Sequence, residues 1–168
     1  MKGSRFQGFT TAVAAASIAA ACATLALGPV QAETHSHEAA TPAKLSLDNG
    51  RKWSTDDALR GGMSRIRALV EPQLGAADAG KLSPAQYAAL AGKVEAEVGG
   101  IVANCKLEPK ADAVLHVVIG EIGAGTDAMA GKSSGRHPRQ GLAQVAVALN
   151  DYAGHFDHPG FTPIRNIH

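Results

Sequence analysis

Between Leu142 and Phe156 the chain reads L-A-Q-V-A-V-A-L-N-D-Y-A-G-H-F. Its large apolar residues, Leu142, Val145, Leu149, Tyr152 and Phe156, recur at intervals of three or four. That spacing gathers them on one face of an α-helix and would scatter them over both faces of a strand. It is the clearest of four such stripes. The helix is predicted to end near Asp157, because Pro159 disfavours helical backbone in the residue before it and Gly160 favours a turn.

Working back toward the amino terminus, Gly131-Lys132-Ser133-Ser134-Gly135 reads as a loop, and Leu115, Val118, Ile122 and Met129 mark a helix over 110–130. Glycines 120, 123 and 125 weaken it, each by about 1 kcal/mol relative to alanine. Their expected role is to admit a neighbouring helix, or a ligand, to close approach. Ser83-Pro84-Ala85-Gln86 is a capping box with proline at the first helical position. From it Leu90, Val94, Val98, Ile101 and Cys105 continue to a break at Glu108-Pro109. The earliest stripe is Leu59, Met63, Ile66, Val70 and Leu74; Ser54 or Thr55 is the expected cap, Asp56 and Asp57 complement the helix dipole, and Pro72 should bend the last turn. Four amphipathic helices, short connections and no alternating strand pattern predict an all-α fold, an antiparallel up-down four-helix bundle over 51–164 with a short tail at 165–168.

What precedes the bundle bears on where the protein works. Lys2 and Arg5 lead an uncharged, Ala-rich run that closes on Val30-Gln31-Ala32, the pattern of a cleaved secretory signal peptide over 1–32. Cleavage there predicts a periplasmic protein with no stable membrane span. A rival processing site, Ala19-Ala20-Ala21-Cys22, would leave Cys22 lipidated, although Ala19 is a weak residue for such a box. The signal holds two of the 16 basic residues and none of the 15 acidic ones, so the mature chain carries 14 against 15. A near-neutral chain has no electrostatic footprint for nucleic acid. With Cys22 removed only Cys105 remains, which excludes an internal disulfide and leaves stability to packing. Residues 33–50 are polar and aperiodic and read as a flexible tether containing His35-Ser36-His37.

Two short motifs fail on context. Gly131-Lys132-Ser133 follows a helix instead of a strand, and Thr126 stands where a phosphate loop needs glycine. Gly131 to Gly135 also fits G-x-S-x-G, whose nucleophile requires a strand-to-helix elbow that an all-α chain does not have. With no paired carboxylates and no nucleophile beside a base, the sequence does not read as an enzyme.

All seven histidines lie in the mature part, and imidazole suits copper, zinc, nickel and haem iron. His35 and His37 form either a mobile clamp for copper or zinc or an ordinary solvated tail. His155 and His158, around Asp157, are either a metal pair or imidazolium-bearing residues at a helix end. His116 is a boundary residue or a ligand. Cys105 sits on an apolar stripe, as a buried thiol or as a soft ligand for copper(I).

The segments Lys52-Trp53-Ser54-Thr55-Asp56, Leu59-Arg60-Gly61-Gly62-Met63, Ala103-Asn104-Cys105-Lys106-Leu107 and Phe156-Asp157-His158-Pro159-Gly160-Phe161 together resemble small exported proteobacterial proteins labelled DnrO-like. The resemblance covers about Leu45 to Pro163. It implies a helical bundle and a metal-related periplasmic role and defines no activity. A more distant likeness is to cytochrome b562-type bundles, which would pair Met63 with His155 on a non-covalent haem; the absence of C-x-x-C-H excludes a c-type attachment. Two function classes therefore stand, a transition-metal binder of the cell envelope and a structural or adaptor bundle that holds a protein partner, with a haem carrier behind both.

Overall fold

The computed structural model describes residues 44–167. The expected signal peptide, Cys22, His35, His37 and His168 lie outside them. The elements run α1 (Asp57–Val70), a 3-10 turn (Glu71–Gln73), α2 (Leu74–Asp78), α3 (Pro84–Asn104), α4 (Pro109–Met129) and α5 (Pro138–His155). Among the described residues there are only two isolated backbone bridges and no strand, and no helix is long and apolar enough to cross a membrane.

The stripes turn inward as their spacing requires. Leu59, Met63, Ile66, Val70 and Leu74 from α1 and α2, Leu90, Val94 and Ile101 from α3, Leu115, Val118, Ile122 and Met129 from α4, and Leu142, Val145, Leu149, Tyr152 and Phe156 at α5 are buried in one shared core. α1 packs against α3 and α5, and α4 against α3 and α5, so the four long helices close on themselves. Pro72 does more than bend a turn. It sits in the 3-10 segment that separates α1 from α2.

Two glycine positions set the tightest seam. A Cβ on Gly125 would stand 2.7 Å from the Gly141 carbonyl oxygen, and one on Gly141 would stand 2.8 Å from the Met129 nitrogen. The α4 and α5 backbones therefore meet without side chains between them. Gly120 and Gly123 have open space instead, so of the three glycines expected to admit a neighbour only Gly125 does so.

The start of α1 corrects the expected cap. Asp56, not Ser54 or Thr55, is the N-cap, with Oδ1 accepting from the Leu59 N–H at 2.8 Å. Its other oxygen accepts from the Lys106 N–H at 2.6 Å, which ties the start of α1 to the connection between α3 and α4. Ser83 and Gln86 form the expected capping box: the Gln86 side chain accepts from the Ser83 N–H at 2.8 Å, and Ser83 Oγ accepts from the Gln86 N–H at 3.3 Å.

Residues 44–50, the last part of the expected tether, have a defined shape. Asp48 and Arg51 exchange two backbone hydrogen bonds of 2.8 and 2.9 Å around Asn49 and Gly50, both at positive φ, a type I′ turn. Trp53 Nε1–H donates to the Ser46 carbonyl at 2.6 Å and pins this turn to the bundle.

Candidate functional site

Asp56, Cys105 and His155 lie where α1 begins and where α3 and α5 end, whereas His116 lies within α4. The helix α5 stops at His155, two residues short of the expected Asp157, because Phe156 leaves helical backbone and pairs with Trp53. The Trp53 N–H donates to the His155 carbonyl and the Asp157 N–H donates to the Trp53 carbonyl, each at 2.8 Å. Past this bridge the Phe161 N–H donates to the His158 carbonyl at 3.1 Å around Pro159 and Gly160, with Gly160 at φ +81. Proline followed by a positive-φ glycine makes a type II turn. The F-D-H-P-G-F segment thus reverses the chain and lays Phe161 and the buried Ile164 against the bundle.

That reversal brings His158 back onto Tyr152. The Tyr152 ring is fully buried, stacked on Phe156 at 5.2 Å and edge-on to Phe161 at 5.1 Å. Burial pushes its phenol far above the ordinary range, so it keeps its proton. Its hydroxyl lies 2.9 Å from His158 Nδ1. The other ring nitrogen, Nε2, lies 3.4 Å from Ser64 Oγ. Burial, with the nearby Arg60 charge, lowers the His158 pKa below its ordinary value and keeps the ring neutral.

Cys105 caps the end of α3, with its thiol beside the Asp56 carboxylate. Burial, then the charges of Asp56 and Asp112, push the thiol up to about 11. At neutral pH Cys105 is a protonated donor to a carboxylate and not a thiolate. Asp56 itself lies below its ordinary value: burial alone would raise it, but hydrogen bonds from the Leu59 and Lys106 N–H groups, the Arg60 charge and the Cys105 thiol outweigh that.

His116 and His155 are held differently. In each, Nδ1 lies against the backbone carbonyl four residues earlier, His116 on Asp112 at 2.9 Å and His155 on Asp151 at 2.7 Å. A carbonyl only accepts, so Nδ1 carries the proton and Nε2 presents a lone pair. His116 Nδ1 is also 3.3 Å from the Asp112 carboxylate. The helix does not continue to His158, so His155 and His158 do not form the same-face pair their spacing allows in a longer helix. Met63, the haem candidate, is fully buried in the shared core. Among the described residues no group of three or more His, Cys, Asp or Glu side chains is placed to hold a metal ion.

A cleft of about 440 Å³ marks the root of the tether, lined by Lys44, Ser46, Leu47, Asp48 and Trp53 on one side and by Lys110, Ala113 and Val114 of α4 on the other. His116 lies about one helical turn beyond Ala113. Sequence reasoning found the histidines but not Asp56, Ser64 or Arg67, whose partners are 50 to 94 residues away or lie in the returning segment. No protein family, curated protein or solved structure matches this chain.

Proposed function

We propose that the protein is an exported, antiparallel up-down four-helix bundle of the periplasm that binds or buffers a transition metal, copper or zinc. In this reading the candidate donors are His116 and His155 on the bundle and His35 and His37 on the tether. One observation carries it. Both imidazoles donate Nδ1–H to a main-chain carbonyl, the outer-shell arrangement that orients a metal-binding histidine and leaves Nε2 as the ligating atom. Imidazole nitrogens with a carboxylate nearby suit copper(II) and zinc better than calcium or magnesium.

The up-down order is supported by two bonds at one end of the bundle. Trp53, before α1, bonds the end of α5, and Asp56 bonds the residue that follows Cys105 at the end of α3. An adaptor role has less behind it: Val102 and Val147 are exposed, but on different helices, and single exposed apolar residues are usual.

The test is a calorimetric titration of the mature chain, 33–168, with copper(II) and zinc, repeated after deletion of Glu33 to Thr41 and in the His116→Gln and His155→Gln variants. Roughly tenfold weaker binding, about 1.4 kcal/mol, is expected from the deletion and from at least one substitution. Binding no tighter than that of an unrelated histidine-bearing chain would favour the adaptor.

A further inference from the structure

Residues 44–51, which precede α1, are held to the bundle unequally. Just after them the chain is fixed to the end of α5: the Trp53 N–H donates to the His155 carbonyl and the Asp157 N–H to the Trp53 carbonyl, each at 2.8 Å, and Lys52 Nζ donates to the Ala153 carbonyl at 2.6 Å. Ahead of that anchor, among the described residues, one hydrogen bond reaches out of the segment. The Ser46 carbonyl accepts from Trp53 Nε1–H at 2.6 Å. The other bonds of the segment, between Asp48 and Arg51 and from Asn49 Nδ2 to Asp48 Oδ1, stay within it.

Packing adds little to that bond. Leu45 rests part-buried on the core, whereas Leu47, Asn49 and Gly50 are exposed. Hollows flank the segment: one of about 440 Å³ toward Val114 of α4, one of about 330 Å³ toward Leu107 between α3 and α4, and one of about 420 Å³ toward Asp157 past the end of α5. Asp48 lines all three, and Trp53 lines the first two. A segment with few buried contacts and an exposed turn is of the kind that opens ahead of global unfolding. A two-stranded hairpin this short is not stable alone in water, so once released from the indole it also loses its turn.

We propose that residues 44–51 are a hinged flap, latched by the Trp53 indole N–H and turning at Arg51-Lys52, that opens and loses its turn in one step while the bundle stays folded. Opening joins the hollows of about 440 and 330 Å³ and bares the Trp53 ring between them. One hydrogen bond and one part-buried leucine hold the flap shut, which sets the open form on the order of one molecule in a hundred. The flap is independent of the metal reading, since none of its residues is a proposed donor.

The sole tryptophan carries one N–H on each side of the hinge. Hydrogen exchange of residues 33–168 is followed by 15N–1H NMR, each rate being divided by that of the same group in an unstructured chain. The Trp53 indole N–H and the Asp48 and Arg51 amides should share one protection factor, on the order of 100, and the Trp53 backbone N–H should be protected at least about tenfold more. Gly50→Ala supplies the perturbation. With φ at +84 and nothing within 4 Å, the added methyl strains the turn without touching the bundle. It should speed all three exchanges by a common factor of about five and leave the Trp53 backbone N–H unchanged. An indole N–H as protected as the backbone N–H of the same residue would overturn the proposal. So would a Gly50→Ala protein whose indole exchanges no faster than that of the wild type.

Discussion

Gly125→Ala is the most informative single change to the fold, because its sign is opposite to that of the same substitution a turn away. In isolation, alanine should stabilise a helix by about 1 kcal/mol over glycine. At Gly125, however, the new methyl would lie 2.7 Å from the Gly141 oxygen and 2.7 Å from Val145 Cγ2, where ordinary contact begins at 3.4 Å. The shortfall of about 0.7 Å toward the Gly141 oxygen falls on backbone, which cannot rotate away, so α4 and α5 must separate along their seam. Overpacking of this kind costs about 1 to 3 kcal/mol, and loosened contacts along the seam put Gly125→Ala at the upper end. After the propensity gain the net loss is about 1 to 2 kcal/mol, or roughly 3 to 10 °C in melting temperature for a domain of this size. Gly120→Ala and Gly123→Ala meet nothing within 4 Å and should gain about 0.5 to 1 kcal/mol. Urea unfolding followed by circular dichroism at 222 nm measures all three. A Gly125→Ala protein as stable as Gly120→Ala would refute the close approach of α4 and α5.

Three further outcomes are expected. Asp56→Ala removes a cap and a charged hydrogen bond to the Lys106 N–H, and should cost about 2 to 4 kcal/mol; because the Asp56 pKa is depressed in the fold, its stabilisation is present above its ordinary 3.8 and is lost as pH falls through the lower folded value, so the wild-type and variant curves should converge in strong acid. Cys105, with its thiol at about 11, should be about 0.1% thiolate at pH 8 and react with iodoacetamide far more slowly than a free thiol, and Asp56→Asn should speed that reaction; alkylation of the wild type at the free-thiol rate would contradict the Asp56 contact. His158 has a folded pKa below 6.5, so the unfolded chain binds its proton more readily, and the stability it provides is complete above about 6.5 and falls as pH drops through the folded value. Chemical unfolding of His158→Gln across that window should show a flatter pH dependence than wild type, and parallel curves would speak against a neutral His158 on Tyr152.

The helices were legible because Leu, Val, Ile, Met and Tyr at intervals of three and four mark a face whatever lies opposite it, and the stripe from Leu142 to Phe156 is buried throughout. Faces built from small residues were not. Ala128, Ala146, Ala148 and the pair Gly125 and Gly141 are buried at the seams, yet alanine and glycine carry little hydropathic contrast. The choice of cap was not local either. Ser54, Thr55 and Asp56 are all competent caps, and Asp56 prevails where its second oxygen meets Lys106, which is fifty residues away. Asn49-Gly50 is a strong turn signal that an aperiodic, polar reading of the tether passed over. At the other end, the helix stops at His155 because Trp53 captures the next backbone groups, a long-range event that Pro159 alone does not reveal. The contact of His158 with Tyr152 follows from that stop and the turn after it.

The metal reading is tested most directly by pulsed electron paramagnetic resonance of residues 33–168 loaded with one equivalent of copper(II), which counts the imidazoles bound through Nε2. More coordinating imidazoles are expected than in a peptide of residues 33–43 alone, with a loss of signal in His116→Gln or His155→Gln and none in His158→Gln. A spectrum identical to that of the isolated peptide would mean that the bundle contributes no donor.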